Sequence, residues 1–217
     1  MNIGVLGTGV VALTLASGLI RLGHKVSLGT RDPQASAARE PVAAFQAAHK
    51  DALLVTFAQA AEAEFLINAT NGAGSRAALM TAGPERLHGK VLLDAANPLD
   101  FSRGFPPSLS ISNTGSLAEE LQAAHPNLRV VKALNVVTAA VMIEPGLVPG
   151  GQPSMLIAGN DAQAKAAVSD LLRAFGWTDI LDLGDLKAAR TLEMLVPAWL
   201  VLSQTLGTYN FGFKVQR

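Results

Sequence analysis

"IGVLGTGVVALTLASGLI", residues 3–20, decides what kind of fold this chain takes. It carries no charged side chain and is almost as long as a membrane span requires. Its glycines are bunched at positions 4, 7 and 9, where a spanning helix would gain nothing from a break. Only Met1 and Asn2 precede it, with no basic region of the secretory kind, so neither a span nor a signal core is expected. A buried strand that turns on glycine into a buried helix accounts for the whole stretch. Gly7-Thr8-Gly9-Val10-Val11-Ala12 then fits G-x-G-x-x-A. The first glycine allows the tight turn, the second lets backbone approach a pyrophosphate, and the small third residue lets helix and strand pack closely. Free amides at the helix start would hold the phosphate.

A second strand should follow, and its tip should meet the adenosine ribose. "VSLGTRDP", residues 26–33, fills that place. An NAD site would put an acid there to hold two ribose hydroxyls. This chain has Thr30 and Arg31, a hydroxyl and a guanidinium suited to a dianionic 2′-phosphate. Asp32 lies one residue further on, directly before Pro33, and reads as a helix cap with proline in the first turn. NADP is the expected nucleotide. A rival phosphate turn exists: Gly72-Ala73-Gly74-Ser75-Arg76-Ala77 also fits G-x-G-x-x-A, with Asp94 roughly twenty residues on. The polar "NATN" before it, and a helix expected only from Arg76 to Ala82, make it the weaker match. It reads as a loop crossing the middle or nicotinamide end of the cofactor.

Short apolar runs recur at Asn2–Leu6, Lys25–Leu28, Leu53–Thr56, Phe65–Ala69, Val91–Asp94 and Val130–Ala133. Helix-length segments separate them at Val10–Leu22, Pro33–Ala48, Arg76–Ala82 and Ser116–Ala124, the last opened by a Ser116/Glu119 capping box. The alternation predicts a doubly wound parallel sheet of Rossmann type, with strands covered on both faces. The Gly/Pro-rich run Glu144–Pro153 marks a seam. It divides a nucleotide-binding domain, 1–143, from a small C-terminal α/β extension, 144–217, that would complete a second cleft. That extension should contain strands at Met155–Ala158 and Ile180–Leu183, a helix begun by Asp161, and a last helix from Asp185 to about Leu206. Pro197 should kink or interrupt that helix.

Composition removes several functions. Seventeen basic side chains balance seventeen acidic ones, so neither a nucleic-acid footprint nor a polybasic membrane patch is expected. With no cysteine, thiolate nucleophiles and disulfides are excluded. The four histidines are scattered, so no metal site is expected. A cytoplasmic protein is the default. Asn68, Thr70, Asn71, Asn97 and Asn135 fall at or just after the carboxyl ends of strands, the edge where open parallel sheets bind ligands. Lys132 is the one strand-end candidate for acid–base work. Its alternative is a packed stem with the amine in solvent. With no evident proton-transfer group, direct hydride transfer between two bound redox cofactors is the chemistry that fits.

These residues resemble the coenzyme F420-dependent NADP oxidoreductases, or NADPH-dependent deazaflavin reductases, and more distantly the oxidoreductase domains of STEAP metalloreductases. The resemblance is carried by "IGVLGTGVVALTLASGL", "GTRDP", "LLDAANPL", "LAEELQAAHPNLRVVKALN", "GDLKAARTLEMLVPAWL" and the closing "FGFKVQR". It implies NADP at Gly7, Thr8, Gly9, Val10, Val11, Thr30 and Arg31. Ala69, Thr70 and Asn71, with Asn97, Ala133 and Asn135, would approach the nicotinamide. The last helix and the Gly207–Phe213 turn would wall a deazaflavin or flavin pocket. Two departures fall in the cleft. "NATNGAGS" stands where the family often has an apolar, proline-bearing strand end, and Leu134 stands where it commonly has an aromatic. The expected function is hydride transfer between NADP(H) and a deazaflavin or flavin-like acceptor. A non-catalytic NADP sensor or scaffold and a small imine or hydroxyacid reductase are the alternatives. The apolar last helix also suggests a homodimer.

Overall fold

The computed structural model describes residues 1–217. Its strands are β1 (Asn2–Leu6), β2 (Lys25–Thr30), β3 (Leu53–Thr56), β4 (Phe65–Asn68), β5 (Val91–Asp94), β6 (Leu99–Asp100), β7 (Ser108–Leu109), β8 (Arg129–Lys132), β9 (Met155–Gly159) and β10 (Ile180–Asp182). The helices are α1 (Val10–Arg21), α2 (Pro33–Ala37), α3 (Glu40–Ala48), α4 (Phe57–Ala60), α5 (Gly72–Ala82), α6 (Pro84–Leu87), α7 (Leu117–Ala124), α8 (Ala139–Ile143), α9 (Ala162–Ala174) and α10 (Ala189–Leu206).

Eight strands form one sheet in the order β10-β9-β8-β5-β4-β1-β2-β3, and β6 with β7 makes a separate small hairpin. The run from β3 to β8 is entirely parallel. It has the doubly wound order in which a dinucleotide binds where the winding reverses, here between β1 and β4. β9 joins β8 antiparallel, and β10 lies parallel to β9. The segment after residue 143 therefore continues the sheet as a small α/β extension of the Rossmann unit.

Side chains alternate across each strand, so the continuous apolar runs feed two cores. Ile3, Val5, Ile67, Leu93 and Val131 face one way and pack with α1, α8 and α9. Leu6, Leu66, Leu92 and Val130 face the other and pack with α4, α5 and α7. Residues 3–20 are thus strand, turn and helix, and no helix in the chain is long and apolar enough to cross a membrane.

Local expectations need correction at three places. The helix expected over Pro33–Ala48 is two helices, with Arg39 extended between them at φ −81°, ψ 131°. Pro41 explains the break: in a continuous helix its ring would strike the Ala37 carbonyl. The helix expected from Arg76 begins instead at Gly72, because the Asn71 side chain caps the Ala73 amide at 3.1 Å. Gly72-Ala73-Gly74 is therefore the first turn of α5 and not a loop. Gly72 is there for close approach: a β-carbon on it would lie 2.0 Å from the Asn97 carbonyl oxygen. Pro197 does not interrupt α10, which runs unbroken from Ala189 to Leu206 after a short 3-10 turn at Leu186–Ala188. The short elements α4, α6, α8 and the β6–β7 hairpin carry too few residues for periodicity to announce them.

Candidate functional site

Gly7 closes β1 at φ +121°, a conformation side chains rarely adopt, and a β-carbon there would sit 2.6 Å from the Ala69 carbonyl. The glycine turn is thereby wedged against the end of β4. Gly9 is different. Its backbone is ordinary extended chain, φ −84° and ψ 179°, and a β-carbon there would meet no atom within 4 Å. The protein's own packing does not require a glycine at that position, and the bare backbone is open to the space beside it. Gly9 caps α1 without any side-chain hydrogen bond, which leaves first-turn amides for an incoming anion. Ala12 is fully buried against the sheet, as the small third position requires.

A recess of about 360 Å³ opens at this point. It gathers Gly7, Thr8 and Gly9 from the turn, Thr30 and Arg31 from the tip of β2, and Ala69, Thr70 and Asn71 from the end of β4. The Thr30 hydroxyl pairs with Ser36 Oγ at 2.7 Å. If Ser36 donates to Thr30, the Thr30 proton is free to point into the recess. Asp32 is engaged as a cap, accepting from the Ala35 amide at 2.9 Å. That fixes the β2 tip with its acid turned to the backbone and Arg31 exposed. Sequence reasoning missed Arg39. Its Nη2 donates to the Thr8 carbonyl at 2.9 Å and to Thr8 Oγ1 at 2.5 Å, which brings a second guanidinium to the glycine turn. The signal for it was a basic residue at the start of the Glu-Pro helix.

The recess continues along the strand ends into a second pocket of about 180 Å³. Val11, Ala69, Thr70, Asn71 and Asn97 line it, with Leu99 and Phe101 from the hairpin strand β6 and the residue after it. Asn97 and Asn135 bond reciprocally: Asn97 Nδ2 donates to the Asn135 carbonyl and Asn135 Nδ2 to Asn97 Oδ1, both at 2.9 Å. Asn135 also donates to the Leu192 carbonyl of α10 at 3.0 Å. These two amides tie the walls of the cleft together. Leu134, just before Asn135, is buried at φ +64°, a strained setting for a branched side chain. That twist turns Asn135 toward Asn97 and sends Leu134 into a small apolar pocket with Leu192, Leu195 and Phe213. Ala133 is fully buried and lines neither pocket. Val10 is exposed at the first turn of α1, beside the recess and not among its lining residues.

Beneath the cleft lies a buried polar chain. Lys132 Nζ meets Asp94 Oδ2 at 2.9 Å and Glu193 Oε1 at 2.8 Å, and also donates to the Ala96 carbonyl. All three of its protons are used. Lys132 is fully buried, so its amine lies neither in solvent nor in the cleft, and both readings of it from sequence are corrected. Burial alone would lower the Lys132 ammonium, but the two carboxylates outweigh it and hold its pKa above the usual value. Burial pushes the Glu193 carboxyl up, against the pull of Lys132 and of the Leu117 amide. Asp94 Oδ1 accepts from Asn68 Nδ2 at 2.8 Å, and Asn68 Oδ1 accepts from the Thr70 hydroxyl at 2.7 Å. The polar "NATN" thus belongs to an internal network. Asp94, fully buried within it, cannot serve as the ribose acid of a second nucleotide site.

Comparisons with known proteins agree with this geometry. Residues 2–98 match the model of the family described as NADP oxidoreductase, coenzyme F420-dependent. The F420-dependent NADP reductase of Methanothermobacter marburgensis is 29% identical over 224 residues, covering 99% of this chain and 98% of that one. Rat metalloreductase STEAP3 is 32% identical over 205 residues, covering 92% of this chain but only 38% of its own length; the chain spans about two fifths of the STEAP relatives it matches. A crystal structure from Arthrobacter sp. FB24, provisionally assigned as an F420-dependent NADP reductase, superposes with a TM-score of 0.98. It is 50% identical and covers all of both chains. Full-length agreement at that identity places the chain in the coenzyme F420-dependent NADP oxidoreductase family.

Proposed function

We propose that the chain binds NADP(H) along the carboxyl edge of its sheet and passes hydride between the nicotinamide and a deazaflavin or flavin-like acceptor. The reading rests most heavily on the recess between β1 and β4. There an unobstructed Gly9 backbone, uncapped amides and an Arg31 without an ion-pair partner face the same space. In this reading the α1 amides take the pyrophosphate, and Thr30 and Arg31 take the 2′-phosphate. Ala69–Asn71 and Asn97 flank the nicotinamide. The bound nicotinamide supplies the hydride chemistry. The chain supplies alignment, through the Asn97–Asn135 clasp, and an apolar setting that keeps water from the reacting ring.

The residues lining the nicotinamide-side pocket and the small apolar pocket include no histidine, lysine, carboxylate or tyrosine. That favours direct hydride transfer over imine or hydroxyacid reduction, which needs a proton donor at the reacting carbon. Residues 144–217 would supply the acceptor side through α10 and Phe213. Met194, Val201, Leu202 and Leu206 are exposed apolar side chains on α10; a homodimer in the cytoplasm that covers them is part of the same proposal.

The test is turnover of NADPH by the purified protein with coenzyme F420, FMN, FAD and a panel of imines and ketones. Reduction of a deazaflavin or flavin with no solvent isotope effect supports the reading. Reduction of an imine or ketone with such an effect sinks it. NADPH bound tightly with no acceptor reduced returns the sensor alternative.

A further inference from the structure

Arg39 is unaccounted for by the glycine turn and the β2 tip, and its position gives it work there. It stands at the N-cap of α3, placed by the break that Pro41 imposes, with its guanidinium laid on Thr8 through two hydrogen bonds from one nitrogen. Thr8 is the middle residue of the glycine turn and lines the recess together with Arg31. No carboxylate pairs with either arginine, and no acidic residue lines the recess. Asp32, the nearest acid in sequence to Arg31, is turned to the Ala35 amide. A protein of zero formal net charge thus carries two uncompensated guanidiniums here, Arg31 lining the recess and Arg39 bonded to Thr8, which lines it.

We infer that Arg39 is a second specificity-determining residue, one that reads the nucleotide's 2′-phosphate jointly with Arg31. A guanidinium has five N–H groups in a rigid fork. The Thr8 contacts engage one nitrogen and orient the plane, which leaves the Nε and Nη1 protons for an anion. Thr8 is the positioning residue: its hydroxyl and carbonyl hold the fork over the turn. Two guanidinium forks suit a phosphate dianion, whereas a ribose hydroxyl would leave both charges unmatched.

The inference rests on the proposed nucleotide site, and the experiment separates the two. NADPH and NADH dissociation constants are measured by calorimetry on the parent protein, Arg31→Ala, Arg39→Ala, Arg39→Lys and Thr8→Val. Arg39→Ala is expected to weaken NADPH about tenfold or more, a charge-assisted contact's worth, and to change NADH by less than about threefold. Arg39→Lys should recover only part of the loss, since an ammonium lacks the planar fork that lies on Thr8 with one nitrogen and offers the others to phosphate. Thr8→Val should fall in the same direction as Arg39→Ala, by a smaller factor. Equal weakening of both nucleotides in Arg39→Ala, or none, overturns the role of Arg39. If Arg31→Ala still weakens NADPH far more than NADH in that case, the nucleotide reading survives alone. If Arg31→Ala is also without effect, the placement of the nucleotide itself is wrong.

Discussion

Gly7 and Gly9 sit two residues apart and face opposite demands. Gly7 holds a positive φ and a backbone contact that a methyl group would violate, so Gly7→Ala should destabilise the fold by about 1–3 kcal/mol, seen as a lower midpoint in urea. Gly9 meets nothing in the protein. Gly9→Ala should change stability by less than about 1 kcal/mol, the loss of unfolded-chain freedom offsetting the poorer helix cap, while nucleotide affinity falls. A Gly9→Ala protein that binds NADPH as tightly as the parent would remove the pyrophosphate from this turn. Arg31→Ala belongs to the same scale. Losing one charge-assisted phosphate contact should cost roughly 1.5–3 kcal/mol for NADPH and little for NADH, read as the ratio of their dissociation constants.

At the scale of elements, the last helix and the chain end are joined to the sheet by charge. Glu193 of α10 reaches Lys132 of β8 and accepts the first two amides of α7 at 2.8 and 3.2 Å. Lys132→Met would leave two buried carboxylates facing each other without their cation. Removing one partner of a buried ionic group typically costs about 3–5 kcal/mol, and thermal unfolding should report a loss of that size. The tail is held differently. Hydrogen bonds from Lys214, Ser154 and Arg217 hold the Asp179 carboxyl well below the usual carboxylate range, with contacts at 2.5, 2.6 and 2.8 Å. A depressed carboxylate contributes while ionised, above its unfolded pKa of about 3.9, and its contribution drains away as pH falls below that value. Protection of the Ser154 and Val215 amides, which tie the tail down at 2.8 and 3.0 Å, should therefore fall, relative to their intrinsic exchange rates, below about pH 4. Asp179→Asn should show the reduced protection already at neutral pH. Unchanged exchange in that variant would mean that the apolar Phe213 contact holds the tail by itself.

For the whole molecule, the nucleotide edge and the cleft walls belong to one sheet, so ligand binding should stabilise the fold as a unit. NADPH at about a hundred times its dissociation constant contributes roughly 2.7 kcal/mol. For a chain of this size that is a rise in Tm of about 5–10 °C, measurable by calorimetry. NADH at equal concentration should give a visibly smaller rise. A uniform shift for both would mean equal affinities and would remove the 2′-phosphate role from Thr30 and Arg31.

What the linear chain determined by itself is local and periodic. Apolar runs too short for helices, glycines at fixed spacing and Asp32 before Pro33 each act within a few residues, and they announced the Rossmann order, the turn and its cap. The tertiary structure decided everything that needed two distant segments to meet. Lys132 could be read as solvated or as reactive until β5 and α10 closed their carboxylates around it. Asp94 resembled a ribose acid until Asn68 and Lys132 occupied it. Arg39 carried no motif, because its partner Thr8 lies 31 residues away. Hydrogen bonds and ion pairs are short-ranged and indifferent to sequence separation, so these assignments exist only after the chain has folded.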